Sequence, residues 1–225
     1  MQNSNHQNRK VNWGMISAAY AFLIVMMGTT LPTPLYPIYS KVYDLSPFMI
    51  TIIYAVYAAG VIGGLLVFGQ LSDRIGRRYV LIPGVILSAI SALIFLFATN
   101  VGFLLTGRVI SGLSAGLFTS TATTTIVNLA AKDKKGRAST IASSVNMLGL
   151  GFGPLLCGIL AQYLPYAMRL IFIVDFILVI LAFMGVWFMP EPVKNKQSFK
   201  IEVQKLSVPA DIRSTFILSL IHISE

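Results

Sequence analysis

The chain has 225 residues, of which 56% are hydrophobic and only 11% are charged, and its formal net charge is +9. A mean hydropathy of +0.77 excludes an ordinary soluble domain and indicates an integral membrane protein. All basic residues except Arg108 lie in the N-terminal tail, in loops between apolar runs or after the last run, so the positive charge does not indicate a nucleic-acid partner.

Six windows along the chain are apolar and long enough to cross a bilayer, which takes about 20 residues. They lack the alternation of apolar and polar residues that a membrane barrel needs. We therefore expect an all-α membrane protein that forms a six-helix transmembrane bundle. The windows are 14–38, 48–68, 79–98, 102–127, 138–163 and 169–189.

Basic residues mark one side of this bundle. If the N-terminus is cytoplasmic, only Lys41 and Arg169 lie in outer loops, and the tail and inner loops hold the larger share, as the positive-inside rule requires. We therefore predict a multi-pass protein of the cell membrane, embedded in the lipid bilayer, with residues 1–13 as a cytoplasmic tail. The inner basic residues are Arg9, Lys10, Arg74, Arg77, Arg78, Lys132, Lys134, Lys135 and Arg137.

The apolar run stops at Pro190 and Pro192, because proline cannot continue a helix. We predict one bundle over residues 14–189 and a cytoplasmic linker over 190–217. Residues 218–225 read LSLIHISE, which a transposon-end adapter used in sequencing libraries can encode, and we expect them to be an artefact. The alternative is the start of a seventh span. In either case we expect the chain to be the front part of a longer protein.

The loop between spans two and three reads GQLSDRIGRR. A cluster that only fixes topology would explain its arginines but not the spaced glycines and aspartate. The pattern G-x-L-x-D-R-x-G-R-R resembles the loop motif of the major facilitator superfamily. The resemblance implies a charge network against a helix end of a second half, which holds one of two conformations. The matching residues are Gly69, Leu71, Asp73, Arg74, Gly76, Arg77 and Arg78.

Span five contains the stretch GLGFGPLLCG. Its small residues allow a neighbouring helix to approach to backbone contact, and its proline removes a backbone donor and bends the span. The stretch resembles the antiporter motif of the same superfamily, with Cys157 where a glycine is usual. An ordinary packing face is the alternative. The motif residues are Gly149, Gly153, Pro154, Cys157 and Gly158.

Span one carries MGTTLPTPLYP, in which Gly28, Pro32 and Pro37 are spaced as in the span-one motif of drug:proton antiporters of this superfamily. Prolines near the end of a span are also common without such a role. The motif therefore adds only a little support for export.

Two charged residues lie deep in the predicted bundle. A buried arginine costs at least about 2.5 kcal/mol at a helix centre, so Arg108 in span four should face the bundle or a wet cavity. Its surroundings, Leu104 to Gly112, resemble the superfamily's span-four motif, which implies proton transfer, with Ser111 in place of the usual glutamine. Asp175 in span six lies at a similar depth, so we hypothesise that it pairs with Arg108 or carries a proton. The alternatives are a structural arginine and a locally satisfied acid.

Other polar side chains in the spans have two interpretations. Ser88 and Ser91 in span three can line a cavity or form hydrogen bonds between helices. Tyr20, Tyr54 and Tyr57 can offer aromatic faces to a substrate, although tyrosines also occur in interface belts.

The resemblance implies the N-terminal half of a twelve-helix transporter, folded as two inverted three-helix repeats, with a substrate site against the C-terminal half. The implied function is proton-coupled antiport or efflux of small drug-like molecules or metabolites by alternating access. Its partners would be the substrate, protons and the C-terminal half. A sugar or metabolite symporter of the same fold is the alternative.

An integral membrane enzyme or a channel is the alternative of another class. His6 and His222 lie in the tail and the adapter-like end, and Cys157 is the single cysteine, so no His/Cys metal site or Cys-His pair can form in the bundle. A channel would not explain the loop motif. We therefore expect no enzymatic activity, no cofactor and no metal site.

Overall fold

A computed structural model describes residues 2–68, 75–130, 132–164 and 166–191. The predicted linker beyond residue 191 and the segment 218–225 lie outside the described residues. The same holds for four positions of the loop motif, namely Gly69, Leu71, Asp73 and Arg74.

Seven α-helices occur within the described residues, because the first span is broken into two. A 3-10 turn over Thr33–Leu35 joins α1 to α2, and these form span one, whereas α3 to α7 form spans two to six. The helices are α1 (Gln2–Thr30), α2 (Tyr36–Tyr43), α3 (Pro47–Phe68), α4 (Arg77–Leu96), α5 (Val101–Leu129), α6 (Lys135–Tyr163) and α7 (Ala167–Trp187).

The prediction of six spans is confirmed, since six helical segments of the described chain are long and apolar enough to cross a membrane. The predicted bounds agree with the observed ones to within a few residues, except at the end of span one. That span was expected to end at 38 and continues to Tyr43. It continues because Pro37 lies in the first turn of α2, where its missing N–H has no helical partner to lose.

The contacts between helices repeat with two-fold symmetry. Helix α1 packs on α6 as α5 packs on α3, and α1 packs on α7 as α5 packs on α4. The remaining large contacts, α1 with α5 and α4 with α7, join equivalent helices. Because the first repeat crosses the membrane three times, the second repeat begins on the opposite side and is therefore inverted. The predicted fold of two inverted three-helix repeats is therefore confirmed.

The two repeats also bury equivalent spans to a similar degree. Spans one and four lie at the centre, with 61% and 56% of their apolar windows buried. Spans two and five are only 17% buried each. The central helices α1 and α5 therefore place their side chains inside the bundle, where charges need partners.

Glycines bring α5 against α3. Gly60 and Gly64 on α3 face Gly112 and Gly116 on α5, and a Cβ on Gly60 would lie 2.7 Å from the carbonyl oxygen of Val109. Small residues four positions apart on both helices permit direct backbone contact. This contact fixes the position of α5, which carries Arg108.

Candidate functional site

The break in span one creates the first part of the site. Helix α1 ends at Thr30, Pro32 precedes the 3-10 turn, and Pro37 lies in the first turn of α2. The last carbonyl groups of a helix have no partner within it, and they form the negative end of the helix dipole. The prolines of the span-one motif therefore place a helix C-terminus inside the bundle.

Arg108 on α5 uses this helix end. Its side chain is 1% exposed. Its Nη1 donates a hydrogen bond to the carbonyl oxygen of Thr29 at 2.6 Å, and its Nε donates to the hydroxyl of Tyr36 at 2.5 Å. A cation at a helix C-terminus is favourable, so the broken span compensates for part of the cost of burying the charge.

Aromatic rings surround the same guanidinium group. Its central carbon lies 5.2 Å from the ring centre of Tyr36, 5.4 Å from Tyr57 and 5.8 Å from Tyr54. Phe95 lies at 5.9 Å. These contacts are within the range of cation–π attraction, which is stronger in a desolvated site. Tyr54 and Tyr57, predicted as possible aromatic faces, thus contact the arginine.

Asp175 on α7 is buried to a similar extent, with 3% of its surface exposed. It lies against Gly28 of α1, where an added Cβ would be 3.0 Å from both carboxylate oxygens. Its Oδ1 has no hydrogen-bond partner among the described residues. Nε and Nη1 of Arg108 donate to α2 and α1, and its Nη2 has no partner among the described residues, so the hypothesised direct pair with Asp175 is not formed in this structure.

A small cavity lies beside Asp175, between α1, α4, α5 and α7. Its volume is about 10 Å³ when measured as the space open to the centre of a water-sized sphere. Both interpretations of Ser91 hold, because it lines the cavity and also donates a hydrogen bond of 3.0 Å to the carbonyl oxygen of Gly107. The polar residues that line the cavity are Thr29, Ser88, Ser91, Ser111 and Asp175.

Two residues connect the buried charges. Thr29 accepts a hydrogen bond from Arg108 and lines the cavity of Asp175. Phe95 lies over the guanidinium group and also lines the cavity, and its ring stacks on Phe172 at 5.2 Å. Thr29 and Phe95 therefore belong to the surroundings of both charges.

The described part of the loop motif begins at Gly76, whose φ of +111° lies in the region that glycine tolerates best. Helix α4 starts at the next residue and has no side-chain cap of its own. The carboxylate of Glu191 instead accepts hydrogen bonds from the backbone N–H of Arg77 at 3.0 Å and of Arg78 at 3.1 Å. An acid at a helix N-terminus stabilises it.

The two arginine side chains also have partners within this chain. Arg77 is 6% exposed and donates a hydrogen bond to the hydroxyl of Thr124 on α5. The guanidinium group of Arg78 lies 5.6 Å from the ring centre of Trp187 on α7. The family resemblance implied partners for this motif in a second half, and Glu191 was not predicted from the sequence. The available signal was an acid directly after span six, at the same end of the bundle as the loop.

The span-five motif packs α6 on α1. A Cβ on Gly149 would lie 2.6 Å from a carbonyl oxygen of α1, and a Cβ on Gly153 would lie 2.5 Å from another. Cys157 is fully buried one turn further along, and Pro154 lies inside the helix. Gly158 has no atom within 4 Å of its Cβ position. Gly149, Gly153 and Cys157 therefore lie on the packed face of α6, whereas Gly158 lies on an open face.

Comparison with known protein families adds to this geometry. The model of the Major Facilitator Superfamily matches residues 18–222. An uncharacterized transporter of this type from Methanocaldococcus jannaschii is 28% identical over 183 residues, covering 81% of this chain and 47% of that protein. The arabinose-proton symporter of Bacillus subtilis is 34% identical over 108 residues, covering 48% of this chain and 23% of the symporter.

A putative multidrug resistance protein, MdtD, of Pectobacterium carotovorum is 24% identical over 192 residues, covering 85% of this chain and 41% of that protein. Among solved structures, the partially occluded inward-open form of the xylose transporter XylE from E. coli superposes with a TM-score of 0.72 at 18% identity. The match covers 82% of this chain and 49% of XylE. The chain thus spans about half the length, or less, of these relatives. It belongs to the major facilitator superfamily, and the relatives and the solved structure named here are transporters and not enzymes.

Proposed function

We propose that this chain is the N-terminal half of a proton-coupled exporter of small drug-like molecules or metabolites. The observation that carries the proposal is the pair of buried charges, Arg108 and Asp175: Thr29 and Phe95 contact the arginine and also line the cavity beside the acid. Charges inside a membrane bundle are costly and are typical of ion and proton pathways. The antiporter-like face of α6 and the similarity to a putative multidrug resistance protein support export.

The proposed mechanism is alternating access. The substrate would bind between this half and a C-terminal half, in the cell membrane, with the N-terminus of this chain in the cytoplasm. Contacts through Gly149 and Gly153 suit a helix that rocks, because backbone surfaces without long side chains do not interlock. A proton moving at Asp175 changes the charge next to Thr29, and Thr29 is also a partner of Arg108 at the break in span one.

The loop motif is proposed as part of a conformational lock. Glu191 follows span six and caps span three, so relative movement of these spans would break two charge-assisted hydrogen bonds. Such bonds can bias an equilibrium between two conformations without freezing it. Gly69, Leu71, Asp73 and Arg74 are proposed to complete this lock.

A symporter for a sugar or another metabolite is the second candidate. The specific observation in its favour is the 34% identity with the arabinose-proton symporter over 108 residues. Both candidates use a proton gradient, but substrate and protons move in opposite directions in the exporter and in the same direction in the symporter.

The test first requires the coding sequence to be recovered past residue 217. The longer protein is then reconstituted in vesicles that have an acidic lumen and contain a pH-sensitive dye, which reports the luminal pH. If the protein is an exporter, external ethidium will enter in exchange for luminal protons and collapse the gradient. If it is a symporter, the lumen will acidify further only when a pentose moves inward with protons. If the Asp175→Asn and Arg108→Lys variants keep full coupling between substrate and protons, the assigned roles are contradicted. Ser114→Ala serves as the control, because Ser114 bonds to Gly84 away from the cavity.

A further inference from the structure

The acid in the small cavity has an unusual environment. Asp175 is 3% exposed, and its Oδ1 lacks a hydrogen-bond partner among the described residues. A buried carboxylate without a counter-charge is costly unless a proton or a cation neutralises it. Arg108 is not among the residues that line the cavity; its Nε and Nη1 bond to Tyr36 and Thr29, and its Nη2 has no partner among the described residues.

The groups around the cavity are those that hard cations prefer. Besides the carboxylate, hydroxyl oxygens come from Ser88 and Ser91 on α4, Ser111 on α5 and Thr29 on α1. Thr29 and Ser91 donate their hydrogens to backbone carbonyl groups, which leaves oxygen lone pairs available. The hydroxyl of Ser111 has no partner in the described part of the chain. Oxygen ligands of this kind suit hard cations.

Charge and size narrow the choice of ion. Asp175 is the one charged residue among the described residues of the lining, so a monovalent cation would be neutralised, whereas a divalent cation would leave a buried net charge. A volume of about 10 Å³ is at the lower limit for one water molecule, so it favours sodium over the larger potassium ion and excludes an organic substrate. Gly28 leaves the room for the carboxylate to reach this position.

We propose that this cavity binds one dehydrated sodium ion through Asp175 and the hydroxyl groups of Ser88 and Ser111. The sequence predicted no metal site, because the ligands come from three helices and form no local motif. The use of this ion in coupling, in competition with the proton, rests on the proposed function. Binding itself does not, because every lining residue belongs to this chain.

The test is equilibrium binding of radioactive sodium to the 225-residue chain in lipid nanodiscs, at constant ionic strength set with choline. We expect saturable binding that potassium competes for at least tenfold more weakly than unlabelled sodium does. We also expect that Asp175→Asn abolishes binding. Ser111→Ala and Gly28→Ala should each weaken binding several-fold, the second because its methyl group presses on the carboxylate. Ser114→Ala is the matched control, since this buried serine of the same helix bonds to Gly84 and should leave binding unchanged.

Circular dichroism and gel filtration establish that each variant is folded. If Asp175→Asn does not fold, the Ser111→Ala and Ser114→Ala pair decides the question alone. Absence of sodium-specific binding to the folded chain, equal competition by potassium, or equal binding by the two serine variants would overturn the inference. Its failure is separable from that of the proposed function, because the binding assay needs no transport and proton-driven transport needs no sodium.

Discussion

Arg108 and Asp175 are buried to nearly the same extent in one bundle, yet the protein surrounds them differently. The arginine has a helix end, a hydroxyl group and aromatic rings around it. The acid has a glycine and a small cavity, and one of its oxygens lacks a partner among the described residues. The chain itself therefore supplies partners for most of the guanidinium group, of which only Nη2 lacks one among the described residues, whereas it supplies none for Oδ1 of the acid there.

From this difference we predict opposite effects on stability when the two charges are removed. A residue with built-in partners should cost much when it is removed, because its partners are left unsatisfied. A charge without protein partners should cost little when it is neutralised. Four substitutions test the comparison, measured as the free energy of unfolding of the chain in mixed detergent micelles from the fluorescence of Trp13 and Trp187.

The largest effect is expected for Arg108→Ala. It removes a fully buried side chain and leaves the hydroxyl of Tyr36 and the carbonyl oxygen of Thr29 without their donor. Losses of this kind amount to about 3 to 5 kcal/mol. Arg169→Ala is the control, because Arg169 is exposed and its removal should change the free energy by less than about 0.5 kcal/mol. Equal stability of the two variants would refute the built-in compensation.

A smaller loss is expected for Tyr36→Phe, which keeps the ring over the guanidinium group and removes only the hydroxyl acceptor. A hydrogen bond to a charged group contributes about 1.5 to 3 kcal/mol. In the control Tyr43→Phe, the lost bond is to the neutral carbonyl oxygen of Ala98 and should contribute about 0.5 to 1.5 kcal/mol. If the Tyr36 variant loses no more than its control, the charge of Arg108 does not strengthen this bond.

Gly28→Ala should cost about 1 to 2 kcal/mol, because the added methyl group would lie 3.0 Å from both oxygens of Asp175 and overpack the site. Gly158→Ala adds the same methyl group to a helix at a position with no neighbouring atom within 4 Å. We expect no loss there, and a small gain from the helix propensity of alanine. Equal losses would mean that the space beside Asp175 is not restricted.

The smallest effect is expected for Asp175→Asn in a buffer that contains potassium and no sodium. Asparagine keeps the shape of the side chain and removes an uncompensated charge, so the free energy of unfolding should change by less than about 0.5 kcal/mol. A loss of about 2 kcal/mol or more would reveal a protein partner of the acid and make the two charged sites alike. In sodium buffer, binding to the native state should stabilise the unsubstituted chain and not the variant.

The sequence by itself determined the class of the protein, its six spans and its family. Hydrocarbon thickness fixes the length of an apolar helix, so a local count of apolar residues is enough to find a span. The loop pattern around Gly76 identified the superfamily for the same reason, since the motif is continuous in sequence. The positions of Arg108 and Asp175 inside the bundle also followed from local rules, because a charge in a span must avoid lipid.

Only the tertiary structure decided what each charge contacts. Tyr36 and Thr29 are 72 and 79 residues away from Arg108, and Glu191 is 114 residues away from the N–H of Arg77 that it caps. Such contacts depend on helix rotation and on how closely glycine surfaces bring the helices together, which no single segment specifies. The predicted pair of Arg108 and Asp175 was reasonable from depth alone. The break in span one instead offers the arginine a partner, because a helix C-terminus has unpaired carbonyl oxygens, whereas the acid lines a cavity that Arg108 does not line.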